Sequence, residues 1–366
     1  MGNEIAKKYA MQEEVFATGG HACLWRIYSA TNKETGEQVS VFVFRKEEQM
    51  RDLEKALREQ VLQILRREIQ TLKLFKHPGV LRLVEIFEET KTMLSFVTER
   101  VTGSLASITG DAPPPQRQTA ARSRPPGGGA GGGLAATGAS ADFGTALGPG
   151  TELEPFEVAR GIYGLAEAVQ YVHTIGRRLH LNLAPESIFL APSGQWKLGG
   201  FGFSLALPAD GGASTPCPYF QGGARGGFEP PWRLHPSLPF ASPEATAPPG
   251  SSVLTVKSDL FSLGALMHQL FRRPPTQRLV QLRGGVDSTP LAHQSFCGSL
   301  HLHLDLGPLP PEAQQLCASL LAATPGQRPD ASTIAANPLF HRTETAALRT
   351  FDSLSDRNTA EAATFL

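Results

Sequence analysis

The sequence predicts an α+β chain of two lobes, a small β-rich one followed by a larger helical one. Three observations lead there. Short runs of β-branched and aromatic residues flank one long helical pattern in the first hundred residues, whereas nearly every later periodic segment has helical spacing. Gly and Pro, 37 and 29 of 366 residues, gather in two stretches between the periodic segments, so they interrupt a globular chain and do not dilute it throughout. The length is enough to bury a sizeable core.

Residues 1–11, with Glu4, Lys7 and Lys8, read as an N-terminal tail without the apolar stretch of a signal peptide. Residues 22–30 and 38–44 read as strands joined by the turn composition Thr-Asn-Lys-Glu-Thr-Gly-Glu. Over 48–76, Leu57, Val61, Leu62, Leu65, Ile69, Leu72 and Leu74 recur at three- and four-residue spacing, which predicts one long helix ended by His77-Pro78-Gly79. Strands are expected at 81–87 and 93–99. Residues 110–150 are too poor in β-branched and aromatic residues to offset their ordering entropy, and predict a disordered insert. A second Pro/Gly-rich stretch, 208–249, carries Tyr219, Phe220, Phe228, Trp232 and Phe240 and reads as a long loop that packs. Helices are expected at 155–174, 259–271, 311–323 and 330–336. The lobes are then 12–102 and 103–341, with 342–366 as a helical start of a further region.

Lys+Arg and Asp+Glu are equal at 34 each, which excludes a nucleic-acid binder driven by net charge. Cys23, Cys217, Cys297 and Cys317 form no C-x-x-C pair, so neither a disulfide framework nor a zinc site is expected. His301 and His303 alternate with leucines without a third ligand, and no metal is expected there either. No stretch approaches 18 continuous apolar residues, so no transmembrane segment is expected, and a cytoplasmic protein fits.

Seven strings then fall in the chain order of a protein kinase. Arg67-Glu68 through His77-Pro78 resembles the end of the N-lobe helix with its glutamate. His180-Leu181-Asn182-Leu183-Ala184-Pro185-Glu186-Ser187 resembles the catalytic loop H-R-D-L-x-x-x-N. Gly200-Phe201-Gly202 stands where D-F-G belongs and Ser242-Pro243-Glu244 where A-P-E belongs. Asp259-Leu260-Phe261 resembles the start of the central C-lobe helix, Gln327-Arg328-Pro329 the arginine that pairs with the A-P-E glutamate, and Asn337-Pro338-Leu339-Phe340 the end of the domain. The resemblance implies a bilobal protein-kinase-like fold. It also implies structural roles for Leu72, Leu83, His180, Phe201 and Asp259 as a stack linking the lobes, and for Glu244 and Arg328 as a buried ion pair.

The chemistry is missing from that frame. Phosphoryl transfer needs positioning, metal ions and cancellation of phosphate charge. The base position holds Asn182, an amide that cannot take a proton as a carboxylate does. The metal positions hold Ser187 and Gly200, Ala184 replaces the loop lysine, and Phe42 stands in Val39-Ser40-Val41-Phe42 where V-A-I-K is expected. Lys46 is four residues on, ~13 Å along an extended strand, too far to substitute. No catalytic residues are therefore expected. Glu68 reads either as a retained clamp residue or as a solvent-facing helix charge. Gly20, Trp25, Ser40, Thr98, Glu99, Val101 and Phe189 line a vestigial nucleotide pocket in which ATP binding is expected to be weak or absent, and no cofactor is expected. Leu181 replaces the arginine that would dock an activation-segment phosphate.

Within the kinase-like domains, the strings at 39–44, 179–190 and 194–201 resemble the Scy-like pseudokinases, including the coated-vesicle-associated branch. That resemblance implies a non-catalytic scaffold in clathrin- or coatomer-linked traffic at Golgi, endosome or coated vesicles, with coat or adaptor proteins as partners. Residues 348–354 look like the start of that family's HEAT-repeat region, and a chain ending at Leu366 would then be a partial one. The alternatives are a nucleotide-binding switch and a weak atypical Ser/Thr kinase with rewired catalysis. Met1-Gly2-Asn3 invites N-myristoylation, but Ala6 stands where Ser or Thr is preferred; a single acyl chain beside Lys7 and Lys8 would support only reversible peripheral membrane contact. Arg117, Arg122 and Arg124 read as charges on a solvated linker.

Overall fold

A computed structural model describes residues 3–111, 151–208, 214–220, 232–248, 250–251, 253–272, 289–342, 345 and 347. The greater part of the expected disordered insert, with its three arginines, and nearly all of 342–366 lie outside the described residues, as does Phe228.

The N-lobe follows from period-two alternation. Helix α1 (Asn3–Lys8) leads into strands β1 (Tyr9–Gly19), β2 (Trp25–Asn32) and β3 (Gln38–Arg45), a short helix α2 (Lys46–Gln49), the long helix α3 (Lys55–Leu72), and strands β4 (Leu83–Ile86) and β5 (Met93–Glu99). The five strands form one antiparallel sheet in the order β1-β2-β3-β5-β4. In β3, Val39, Val41 and Val43 face one side with Tyr28, Val97 and Ile5 of α1. Phe42 and Phe44 face the other, with Phe96 and the apolar stripe Val61, Leu65, Ile69 and Leu72 of α3.

Three expectations change here. The presumed tail is packed structure, because Ile5 and Tyr9 are buried against the outer sheet face and Tyr9 donates to Glu85 at 2.9 Å. The strand expected from 22 starts at Trp25; His21–Cys23 is a short 3-10 turn with Ala22 and Cys23 at φ 56° and 54°. The single long helix is broken at 50–54 and ends at Leu72. Periodicity could not reveal the break, because Met50 and Leu53 within it are buried and keep the helical spacing to Leu57. The Arg58 side chain satisfies the carbonyls freed there, donating to Leu53 O at 2.7 Å and Arg51 O at 3.2 Å.

The C-lobe opens with β6 (Gly103–Ser104) and α4 (Leu105–Thr109), then α5 (Pro155–Thr174), whose start is fixed by a capping box between Glu154 and Glu157 with Pro155 in the first turn. Short strands follow: β7 (Arg178–Leu179), β8 (Ile188–Leu190), β9 (Trp196–Leu198), β10 (Leu205–Ala206), β11 (Ser214–Pro216) and β12 (Val253–Thr255). They pair as β6-β8-β9, β7-β10 and β11-β12. Helix α6 (Val256–Phe271) starts three residues before the expected 259, where Thr255 accepts from Lys257 N and Ser258 Oγ accepts from Thr255 N. It is buried on nearly every side and packs on α5 and on α9 (Pro311–Leu320). The remaining helices are α7 (Pro290–Gly298), α8 (Leu300–His303) and α10 (Ala331–Ala335). One hydrophobic core runs from the inner face of the N-lobe sheet through α3 into α5, α6 and α9. No helix is long and apolar enough to cross a membrane among the described residues.

Candidate functional site

The cleft between the lobes is filled by this chain's own aromatic side chains. Phe42 on β3 stacks on Phe96 of β5, with ring centroids 4.7 Å apart and planes at 24°, and meets Phe189 of β8 edge-on at 5.3 Å. Trp25 on β2 meets Phe96 edge-on at 4.8 Å and Phe44 at 6.2 Å. All five rings are essentially inaccessible to solvent. They come together because β2, β3 and β5 present alternate residues to the same face while Phe189 rises from the C-lobe. Such ring pairs add ~0.5–1.5 kcal/mol each beyond their area burial, so the plug is a stable part of the core.

The lip of the cleft is also closed. A Cβ at Gly19 would fall 2.5 Å from the Phe189 ring, so the first glycine of the loop lies directly on the plug. Gly20 N donates to Glu186 O at 2.6 Å, and Thr18 O accepts from Ser104 Oγ at 2.5 Å and Ser107 Oγ at 2.8 Å. His21 Nε2 meets Arg233 O at 2.7 Å, its ring lies edge-on to Phe203 at 4.5 Å, and burial pushes its imidazole down to about 4, so it is neutral. The hinge donor is used internally as well, since Val101 N donates to Ser40 Oγ at 3.0 Å, while Thr98 Oγ1 donates to Glu99 O at 2.8 Å.

Glu68, open between two readings in the sequence, is buried at the inner end of the cleft. Trp25 Nε1 donates to its Oε2 at 3.0 Å, and the Gly200 backbone N–H donates to the same carboxyl. An uncharged indole therefore partners the glutamate. Burial pushes the Glu68 carboxyl up to about 7 against the pull of those two bonds. One signal could have settled its position: Glu68 is spaced with Val61, Leu65 and Leu72 on the buried helix face. Lys46 is nowhere near; it pairs with Glu89, which also takes Arg66, and donates to Thr90 O at 2.7 Å.

On the C-lobe side the would-be catalytic loop is engaged with itself. His180 Nδ1 accepts from Asn182 N at 3.2 Å, so Nε2 carries the proton donated to Gly199 O at 2.7 Å; burial lowers its pKa. Asn182 Nδ2 donates to Ser187 Oγ at 3.1 Å, and its Oδ1 accepts from Ser237 N at 2.9 Å. The segment after residue 231 thus sits on the base position. Ala184 is wholly buried. Gly200 has φ +71°, and a Cβ there would fall 2.2 Å from Ser187 Oγ, so the residues at the two positions where the kinase motifs would place metal ligands lie against each other. Glu186 is pushed up to about 7 by burial, against hydrogen bonds from its own N–H and from Ser237. Among the described residues no cluster of His, Cys, Asp and Glu could hold a metal ion.

Of the residues expected to link the lobes, Phe201 and His180 meet directly, and His180 N is held by Asp259. Phe201 lies 4.7 Å from His180 and 4.8 Å from Phe75 between ring centroids, in one core with Leu72 and with Leu83 half-buried against it. Asp259 accepts from His180 N and Leu181 N at 2.8 Å each and meets His173 Nε2 at 2.7 Å. Burial opposes its charge, but these partners hold the carboxyl below its usual range, and they fix Leu181 at φ +63°. Glu244 and Arg328 form a bidentate buried pair at 2.6 and 2.9 Å, completed by Ser258 Oγ and by the Lys257, Ala322 and Ala323 carbonyls. Sequence reasoning missed Phe96, legible from β5 alternation, and the contacts of Gly20, His21 and Asn182 with residues 186–237, which leave no local signal.

A protein kinase domain profile matches residues 140–340, more than half of the chain. Over its whole length the chain is 28% identical to SCY1-like protein 2 of Mus musculus and covers 35% of that protein. It is 27% identical to protein kinase domain-containing protein ppk32 of Schizosaccharomyces pombe over 93% of the chain and 42% of that protein. It is 29% identical to CBL-interacting serine/threonine-protein kinase 3 of Arabidopsis thaliana over 54% of the chain and 34% of that protein. The chain spans about a third of the length of the SCY1-like proteins it matches.

Proposed function

We propose that this chain, which belongs to the protein kinase domain family, acts without phosphoryl transfer, as a kinase-like module that binds other proteins. The observation that carries this reading is the closed cleft: Phe42, backed by Phe96 and Trp25, meets Phe189 of the C-lobe, Gly19 lies on the Phe189 ring, and Gly20 N is hydrogen-bonded to Glu186 O. Catalysis of phosphoryl transfer rests on positioning and charge cancellation. Phe42, Asn182, Ala184 and Gly200 offer no charge for either purpose. Losing one such preorganised group typically costs ~10²–10³ in rate. ATP binding is weak or absent in this reading, because the Val101 N–H is taken by Ser40 and the plug fills the pocket.

The finer part of the proposal is a scaffold in clathrin- or coatomer-linked vesicle traffic, with coat or adaptor proteins as partners and peripheral contact with Golgi or endosomal membranes. It is supported by the Scy-like motifs and by similarity to SCY1-like protein 2 along the whole chain. Melting curves with millimolar ATP and Mg²⁺, and phosphate incorporation into the chain or an acceptor protein, test the first part. The expected result is no shift and no incorporation, for the parent and equally for an Asn182→Asp/Gly200→Asp double variant. A Mg²⁺-dependent stabilisation by ATP would favour the nucleotide switch, and incorporated phosphate would overturn the non-catalytic reading. Co-sedimentation with coated vesicles tests the second part, which fails if the chain stays in the supernatant.

A further inference from the structure

A groove of about 990 Å³ lies between strand β4 and the end of α3 with the turn that follows it, and reaches Lys197 of β9. Buried Phe75 and Val80 and half-buried Val84 and Ile86 give it an apolar lining. Strand β4 is the last strand of the N-lobe sheet, so one side of it has no strand partner. Phe87 N donates to Ser95 O, and the bonded pairs of an antiparallel ladder alternate. Ile86, opposite Phe96, therefore turns its N–H and C=O away from β5 toward the open edge. Among the described residues nothing outside the sheet bonds to either group.

The charges of the groove do not balance. Its two carboxylates are both engaged. Glu85 takes Lys8 and accepts from Tyr9 Oη at 2.9 Å. Glu99 accepts from Arg82 N at 2.7 Å and lies 3.9 Å from Lys197 Nζ. Arg82 in turn meets Glu37 at 3.0 Å. Lys73 and Lys76 are exposed and make no ion pair among the described residues. Leu74, between them in the chain, is 64% exposed. The chain as a whole carries as many acids as bases, so this surplus of positive charge is local.

We propose that the groove takes a short, extended, acidic segment of a partner protein. Its carboxylates meet Lys73 and Lys76, its apolar side chains lie on the groove lining, and one of its residues exchanges backbone hydrogen bonds with Ile86 at the β4 edge. Leu83 faces Thr98 and Glu85 faces Val97, which leaves Val84 as an extra residue in β4. That bulge confines strand-like pairing to the end of β4, so the lysines and the lining carry most of the recognition. A second copy of this chain would bring the same unpaired lysines against these, and a flat lipid surface would not reach the recessed Phe75 and Val80. The proposal rests on the protein-binding reading above and gives that reading a surface.

Selection of a random dodecapeptide library on the full chain, followed by fluorescence anisotropy of the strongest peptide, tests it. The expected result is enrichment of acidic residues beside apolar ones. Binding should be about tenfold weaker to a Lys73→Glu/Lys76→Glu variant. Amide exchange at Ile86 should slow when the peptide is bound. Both lysines are exposed, so the double variant keeps the fold, as an unchanged melting curve would verify. Peptides without acidic enrichment, equal affinity for the double variant, or unchanged exchange at Ile86 would each overturn the assignment. So would protection of Ile86 by self-association of the chain alone, or binding of phosphatidylserine vesicles in competition with the peptide. Phosphate incorporation by the parent chain would overturn the non-catalytic reading and leave the peptide result standing, so the two fail separately.

Discussion

Glu68 has a role set by its neighbours. With a lysine opposite, its carboxylate would be held ionised; with the Trp25 indole and the Gly200 N–H opposite, burial dominates and pushes it up to about 7. A carboxyl whose folded value exceeds its unfolded value binds more protons when folded, so stability falls as pH rises from about 4.5 to about 7. Glu186 shifts in the same direction for the same reason and adds to that slope. Asp259 has the opposite sign, its stabilisation being present above the unfolded value and lost as pH falls through the lowered folded value. Chemical denaturation of Glu68→Gln between pH 4 and pH 8 should show a shallower decline than the parent, and an unchanged slope would mean that Glu68 is ionised when folded. Gln replaces one of the two carboxyl oxygens with an NH₂ donor, so the variant should also lose about 1 kcal/mol at the acidic end.

The loop that carries Ser187 and Gly200 is as closed at the level of elements as Glu68 is at the level of one side chain. Gly200 takes a left-handed conformation that brings its Cα against Ser187, and Ser187 in turn accepts from Asn182. Restoring an acid there therefore meets both backbone preference and overlap, whereas Asp in an open left-handed turn would meet only the first. Gly200→Asp should destabilise by about 1–3 kcal/mol. In a Ser187→Gly background the cost should shrink, giving a coupling of at least about 1 kcal/mol in a double-mutant cycle. Strict additivity would show that the two positions do not compete for the same space. The break between α2 and α3 carries the same lesson from another element. The helical spacing runs unbroken through 48–76, and at the turn over 50–54 Arg58 reaches back to two freed carbonyls.

Across the whole molecule, the lobes share one core, and Phe189 is the C-lobe residue that meets the N-lobe plug. Phe189→Ala should cost ~3–5 kcal/mol and lower the melting temperature while keeping a single transition. Two resolved transitions would show that the lobes unfold independently and that the plug does not couple them. The sequence by itself determined a good deal of this. Alternation and helical spacing placed α5 at Pro155–Thr174 and β5 at Met93–Glu99, and the motif order assigned the fold. The absence of charge at Phe42, Asn182, Ala184 and Gly200 was equally plain, because residue identity needs no coordinates. Only the tertiary structure decided that Trp25 is the partner of Glu68, that Ser40 takes the Val101 N–H, and that residues 232–237 lie on Asn182 and His21. Each of these contacts joins residues far apart in the chain, from 43 to 212 positions in the cases of Glu68 and His21. Local periodicity carries no trace of such pairs, and they form only when burial of the common core brings the two lobes together.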